Sequence, residues 1–312
     1  MSALAGHSLA GKVAVVTGGG RGIGRGESLL LAELGAKVVV NDLGCEWDGI
    51  GEDPSPAAAV VTEIRAAGGE AVAHFGDVST EAGASEAIGT ALSRWGRLDV
   101  VVNNAGILRD WQIFNMPVED FDAVIAVHLR APFLVTRAAC QHWRSEARAG
   151  RPVSGRVINT SSGSGLKGNL GQSNYSAAKA GVASFTQVVA MEMREYGVTA
   201  NAIAPSARTR MMENSFGEVP PVPPGFDPIA PENVAPLVAY LASDEAAHIT
   251  GQVIGIRGGV LELFEGWRSV ALIDKRDRWT PAEIAERVDE LFAGRPTEYV
   301  REPLSAESFM VL

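Results

Sequence analysis

Residues 12–24 read Lys12-Val13-Ala14-Val15-Val16-Thr17-Gly18-Gly19-Gly20-Arg21-Gly22-Ile23-Gly24. The first six form an apolar run without alternation, the pattern of a parallel strand buried on both faces. A glycine-rich turn follows. Leu29, Leu30, Leu31 and Leu34 then give a helical pattern that ends at Gly35. Strand, glycine turn and helix in this order make a cradle for a phosphate group. Glycines let the backbone approach a pyrophosphate, and the helix start offers unpaired N–H groups at the positive end of its dipole. The spacing, Gly18-x-x-x-Gly22-x-Gly24, differs from the G-x-G-x-x-G of the usual dinucleotide fingerprint.

Working outward, Lys37-Val38-Val39-Val40-Asn41 is a second strand of the same kind, and it ends at Asp42. An acid there, roughly 20 residues beyond the glycines, is placed to bind a ribose 2′-hydroxyl and to repel a 2′-phosphate. Leu43, Gly44 and Cys45 follow, and none is basic. NAD rather than NADP is therefore the expected cofactor. The alternative is that Asp42 only caps its strand.

The rest of the chain alternates strand and helix patterns. A polar loop over 44–56 leads to a helix over 57–67, a strand over 71–75 reaching Asp77 and Val78, and a helix over 81–95. A strand over 98–102 ends in Asn103-Asn104-Ala105-Gly106. A long helix spans 118–148, bent near Pro132. A strand over 156–160 ends at Ser161 and Ser162, and a helix carrying Tyr175 runs to about residue 196. A strand over 199–204 meets Pro205, a helix covers 232–242, and a last strand ends at Gly259. This order predicts an α/β fold with a doubly wound, Rossmann-like parallel sheet, whose ligands bind at the carboxyl ends of its strands.

Two segments interrupt the alternation. Residues 206–231 carry Pro220, Pro221, Pro223, Pro224, Pro228 and Pro231 with Phe216, Phe226, Met211 and Met212, and read as a substrate lid. The catalytic domain is expected to occupy residues 1–262, and residues 263–312 a helical extension. In that extension Thr280-Pro281-Ala282-Glu283 forms a helix start, and Ile284, Val288, Leu291 and Phe292 share one apolar face.

The composition is that of an ordinary globular chain: 312 residues, 46% hydrophobic and 21% charged. The net charge of -10 argues against nucleic acid as a partner. No apolar run approaches the ~18 residues of a membrane span, and residues 1–10 lack the features of a secretion signal. Cys45 and Cys140 are the only cysteines and show no metal or redox spacing. Free thiols, no metal and a cytoplasmic, reducing location are expected. Residues 309–312 are not a peroxisomal address.

One more spacing carries chemistry. Tyr175 and Lys179 stand four residues apart, on one helix face, and Ser162 lies thirteen residues before the tyrosine. A phenol of pKa about 10 is a poor base near neutrality, and a neighbouring ammonium is expected to lower that value. With a hydroxyl beside it to hold a substrate oxygen, the group can move a proton on or off that oxygen.

Taken in order, Thr17-Gly18-x-x-x-Gly22-x-Gly24, Asn103-Asn104-Ala105-Gly106, Ser162 and Tyr175-x-x-x-Lys179 resemble the classical short-chain dehydrogenase/reductase family over about residues 9–260. The resemblance implies Tyr175 as general acid/base, Lys179 as its partner and a ligand of the nicotinamide ribose, and Ser162 as holder of the substrate oxygen. It places Gly18, Arg21, Gly22, Ile23 and Gly24 at the pyrophosphate and Asp77 and Val78 at adenine. Asn103, Ala105 and Gly106 would lie behind the cofactor, with Pro205 and Thr209 at the nicotinamide. The chain departs from the family in having Ser206 after Pro205, with the threonine one residue closer. It also has His128 where the family has an asparagine that supports a proton relay to the lysine. That relay would run through His128 or the helix backbone; the alternative is a packed histidine with no proton role.

A narrower resemblance rests on Asn41-Asp42-Leu43-Gly44, on 105–110 (Ala105-Gly106-Ile107-Leu108-Arg109-Asp110), on Val127-His128-Leu129-Arg130 and on 168–175. These are similar to the (3R)-hydroxyacyl-CoA dehydrogenase domain of peroxisomal-type multifunctional β-oxidation enzymes, a group that includes 17β-hydroxysteroid dehydrogenases. A stand-alone version, without hydratase or sterol-carrier modules, is expected. The implied function is NAD-dependent oxidation of a secondary alcohol, foremost a (3R)-3-hydroxyacyl-CoA, to a ketone. Arg109, Arg208 and Arg210 are candidates for the CoA phosphates. A 17β-hydroxysteroid dehydrogenase and a non-catalytic NAD-binding protein are the alternatives. A homodimer or homotetramer built on the long helix and the Tyr175 helix is also implied.

Overall fold

The structure, a computed structural model, describes residues 8–216 and 221–299. Residues 1–7, residues 217–220 of the expected lid, and residues 300–312 with the terminus read above for an address lie outside the described residues.

The chain begins with β1 (Val13–Thr17), α1 (Gly22–Glu33), β2 (Lys37–Asn41), α2 (Ser55–Ala66), β3 (Glu70–His74), α3 (Glu81–Trp95) and β4 (Val100–Asn103). It continues through α4 (Val118–Ile125), α5 (Ala131–Arg148), β5 (Arg156–Thr160), α6 (Gly163–Lys167), α7 (Ser173–Met193) and β6 (Thr199–Pro205). Then come α8 (Arg210–Phe216), α9 (Ala235–Ala242), β7 (Val253–Arg257) and β8 (Val260–Phe264). The strands form one sheet in the order β3-β2-β1-β4-β5-β6-β7-β8, parallel except for β8. The fold is thus doubly wound and Rossmann-like.

Unbroken apolar runs form these strands because both faces are covered. Ala14 and Val16 of β1 enter one core layer with Leu31, Ile64, Val238 and Leu241. Val13 and Val15 enter the other, with Ala87, Val135, Trp143 and Met193. Strand order reverses between β1 and β4, where Thr17 lies beside Asn103. That reversal splays the helices apart and opens a cleft at the strands' carboxyl ends.

Three features differ from the sequence reading. The sheet does not end at Gly259: Gly258 turns at φ +50, and β8 folds back antiparallel on β7, Arg257 opposite Val260. The long helix is interrupted by one π-turn over Ala126–Arg130, in which the Ala131 N–H donates to the Ala126 carbonyl. Pro132, with no N–H to give, sits at the following step of the ladder. The stretch Val118–Arg148 also has the length and mean hydropathy, 1.4, of a membrane span. Its apolar side is taken up inside the domain, where Val124, Val135, Ala139 and Trp143 are buried.

The lid segment is rooted at both ends. Ala207, Met212 and Ile229 are buried, and the Arg208 N–H donates to the Ile229 carbonyl at 2.5 Å. Residues up to Phe264 form one unit, and the described residues from Glu265 onward form a second. The second unit contains α10 (Pro281–Arg287) and α11 (Asp289–Phe292). Its α10 starts with the expected capping box, Thr280 with Glu283, and Lys275 and Arg287 lie against the Trp279 ring at 5.4 and 5.3 Å.

Candidate active site

The glycine turn is shaped for an anion. Gly18 and Gly22 take positive φ, +64 and +50, which a side chain would strain. A Cβ on Gly24 would lie 2.2 Å from the Gly18 carbonyl oxygen, so only glycine lets the turn close on α1. A Cβ on Gly22 would meet only Thr209, at 3.8 Å, so the turn faces open space. No side chain caps α1 and no acid lies in its first turn, which leaves its N–H groups and dipole for a ligand. Thr17 fastens the turn to β4: its hydroxyl accepts the N–H groups of Asn104 and Ala105 at 3.1 and 3.2 Å.

A cleft of about 320 Å³ opens over this turn. Gly18, Arg21, Gly22 and Ile23 line one side, Asp42, Asp77 and Val78 the far end, and Ala105 and Gly106 the floor. The Asp42 carboxylate accepts the Gly20 N–H at 2.8 Å and the Gly44 N–H at 2.7 Å. It therefore braces the turn while facing the cleft, and each oxygen keeps a further acceptor site. Asn103 is not among the lining residues. Its amide is drawn into the core, donating to Asn159 at 2.7 Å and Thr136 at 3.0 Å, because the end of β4 must satisfy buried polar groups there. Asn104, which the motif did not single out, faces the cleft instead. The loop after Asp42 supplies a wall that sequence reading also missed: Cys45, Glu46, Trp47 and Gly49.

A second, smaller cleft of about 100 Å³ adjoins the first through shared walls at Ile23, Asn104, Thr209 and Met211. Ser162, Tyr175, Lys179 and His128 meet here, with Pro205, Ser206 and Met212. Each is set by its element. Ser162 lies two residues past β5 and caps α6, accepting the Ser164 N–H at 3.2 Å. Lys179 is buried on α7 and its Nζ donates a hydrogen bond to the Thr160 carbonyl at 2.5 Å. The Ser161 hydroxyl donates to the Lys179 carbonyl at 2.9 Å, holding α7 against β5. Gln172, buried at the start of α7, lines the same cleft and donates to Asp110 at 2.8 Å.

The electrostatics depart from the simple expectation. Burial pushes the Tyr175 phenol up to about 12, against a lowering by the Ser162 hydrogen bond and with Asp110 adding to the rise. Burial also brings the Lys179 ammonium down to about 7. The lysine does not lower the phenol here, because its Nζ is turned to Thr160 and stands 5.7 Å from the centre of the tyrosine ring. His128 packs edge-on against that ring, centroids 4.9 Å apart. Burial first, and then the charge of Lys179, hold the imidazole well below its usual value, so it is neutral. Its Nε2 lies 2.6 Å from the Ile107 carbonyl, and its buried Nδ1 has no partner. The ring fits only because residue 106 is glycine; a Cβ there would lie 2.5 Å from the imidazole Cε1.

Each of the three candidate arginines has an acidic partner, and Arg109 and Arg210 also line the larger cleft. Arg109 pairs with Asp120 at 2.9 Å, Arg208 with Asp227 at 3.4 Å and Arg210 with Glu46 at 2.8 Å.

Comparisons with known proteins agree with this arrangement. The short chain dehydrogenase family model matches residues 12–219. The hydroxyacyl-CoA dehydrogenase ChsB1 of Mycobacterium tuberculosis is 46% identical over 302 residues, covering 93% of this chain and 91% of that protein. The peroxisomal multifunctional enzyme type 2 of Mus musculus is 44% identical over 257 residues, 82% of this chain, which spans about a third (32%) of that longer protein. A crystal structure of a short chain dehydrogenase from Mycobacterium avium is 49% identical and superposes with a TM-score of 0.82, over 95% of this chain and 98% of that one. A non-catalytic reading has no support in these matches. Sequence, sheet order and relatives lead to one assignment: the chain belongs to the short-chain dehydrogenase family, as an oxidoreductase acting on CH–OH groups with a nicotinamide nucleotide.

Proposed function

We propose that this chain oxidises a (3R)-3-hydroxyacyl-CoA to the 3-ketoacyl thioester with NAD. The observation that carries the reading is the meeting of Ser162, Tyr175 and Lys179 in a cleft continuous with the one that Asp42 faces. The relatives named for hydroxyacyl-CoA dehydrogenation and multifunctional oxidation support the substrate class.

In this reading Gly18, Gly22 and Gly24 with the start of α1 hold the diphosphate, Asp77 and Val78 border adenine, and Asp42 accepts the ribose hydroxyls. No basic side chain pairs with Asp42 among the described residues, so a 2′-phosphate meets uncompensated charge. The bound nicotinamide supplies the hydride acceptor. Ser162 orients the substrate hydroxyl and Tyr175 removes its proton. Lys179 holds the nicotinamide ribose and passes the proton on, its ammonium near 7 being poised to exchange it around neutrality. His128 stands beside this path with its Nδ1 unpartnered among the described residues. Pro205 and Thr209 border the nicotinamide end. Against the rise that burial imposes, the positive charge of an oxidised nicotinamide beside the phenol would lower it from its resting value.

The test is nucleotide reduction by purified protein with a medium-chain (3R)-hydroxyacyl-CoA and with a 17β-hydroxysteroid, each with NAD and with NADP. Turnover of the thioester with NAD is expected. Tyr175→Phe should lower it at least a hundredfold, the scale of lost acid–base catalysis, and leave NADH binding intact. Steroid turnover alone would replace the substrate reading, and unchanged turnover in the phenylalanine variant would remove Tyr175 as base.

A further inference from the structure

We propose that Arg210 is a positioning residue that clasps the 44–53 loop over the dinucleotide and so ties cofactor retention to closure of the substrate cleft. The inference rests on the nicotinamide-nucleotide cleft and not on the choice of substrate.

The loop is a strap across that cleft. At its root the Gly44 N–H donates to Asp42 at 2.7 Å, and the Asp53 N–H to the Leu43 carbonyl at 3.1 Å. Its tip is fastened to one wall: the Leu108 N–H donates to the Trp47 carbonyl at 2.9 Å and Arg109 Nε to the Asp48 carbonyl at 2.8 Å. The other side is held by two arginines. Arg21 of the glycine turn and Arg210 both donate to the Cys45 carbonyl, at 3.1 and 3.4 Å, and Arg210 also grips Glu46 at 2.8 Å. Cys45, Glu46, Trp47 and Gly49 then face Gly18 and Gly22 across the cleft. A dinucleotide bound between them cannot leave sideways until the arginine side lets go.

Two properties make this a clasp and not a weld. The Arg210 and Glu46 side chains are 41% and 63% exposed, so their pairing is worth only about 0–1 kcal/mol and opens readily. Arg210 also stands between Thr209 and Met211, which line both clefts, and opens α8, whose Met212 is buried at the catalytic cleft. A pull on the guanidinium therefore moves residues that touch the substrate. The fork geometry matters. A guanidinium can hold a carbonyl and a carboxylate at once in a fixed plane, which an ammonium on a flexible stem does less well.

The test is NADH release, followed by stopped-flow fluorescence, from wild type, Glu46→Gln, Arg210→Lys and the double variant. Each single change should speed release by up to about fivefold, the limit for a pair worth about 1 kcal/mol, with the double no faster than the faster single, because both weaken the same pair. Salt should accelerate the wild type toward the variants' rate. The substrate KM should rise in Arg210→Lys, with kcat held or raised. Unchanged release in Glu46→Gln, or additive effects in the double, would overturn the clasp. Absence of any NADH signal from wild type would overturn the cofactor reading and the clasp with it; tight binding with unchanged release sinks the clasp alone. All changes are at surface-accessible side chains, and melting curves of the variants confirm that release is read from folded protein.

Discussion

Glu27 sits on α1 with no exposed surface, and neither carboxyl oxygen has a partner among the described residues. Burial pushes its carboxyl from the ordinary 4.5 up to about 8. The folded state thus prefers the protonated acid, and the sign follows. Stability from this group is complete below pH 4.5, is lost as pH rises, and is fully lost above about pH 8, a loss on the order of 5 kcal/mol. Lys179 acts in the opposite sense, its folding penalty being largest below pH 7 and fading toward 10.5. The difference between two proteins isolates Glu27. Glu27→Gln should match wild type in denaturant unfolding at pH 5 and exceed it by a few kcal/mol at pH 9; parallel pH curves would show that the carboxyl titrates normally. Nothing near Glu27 in the sequence marks it as buried, since polar residues at that helical position are usually wet. Tyr175 and Lys179 are legible because spacing alone puts them on one helix face. The directions of their shifts are not, because both come first from burial, which depends on what the whole fold packs around them, with the Asp110 charge adding to the rise of the phenol.

At the scale of elements, the helix carrying His128 shows where periodicity stops being informative. Apolar spacing predicts one helix through 118–148, and the side chains do follow it, but spacing carries no information on hydrogen-bond register. A proline removes one donor, and the ladder slips into a π-turn that holds His128 against Tyr175. Pro132→Ala supplies that N–H to the His128 carbonyl, its α-helical partner. The change should keep or raise the melting temperature and lower kcat several-fold as the imidazole is drawn from the ring. Unchanged kcat with a straightened helix would show that the turn has no bearing on turnover. Strands were legible for the reason that makes them strands: buried on both faces, they read as apolar runs. β8 was not, because Val260-Leu261-Glu262-Leu263-Phe264 is exposed on its outer edge and reads like the start of a tail. Short α6 and α8 lie within loops and show no period to detect.

For the whole molecule, we propose that the outer face of α5 and α7 carries the expected self-association. Phe133 is exposed on α5, and Val188 and Met191 are exposed on α7 at helical spacing. Phe133 meets Phe185 edge-on with centroids 6.4 Å apart, joining the two helices into one apolar surface. A monomer has no use for it, and its cost in water favours covering it. Charge also singles out this face. In a chain of net charge -10, self-association is opposed almost everywhere. Here Arg137, Arg144 and Arg148 lie along the groove between the two helices with one acid, Glu192, so this face does not share the chain's negative balance. A second copy turned by a two-fold axis would set α5 and α7 against their own equivalents, the isologous arrangement that most homodimers adopt. Since α7 also carries Tyr175 and Lys179, such pairing would stiffen the helix that holds the site. Light scattering should therefore find at least a dimer in wild type. Met191→Glu with Val188→Asp puts two buried charges per subunit into that interface and should give monomers with a lower kcat and retained NADH binding. An unchanged mass in the double variant would place the subunit contact on another face.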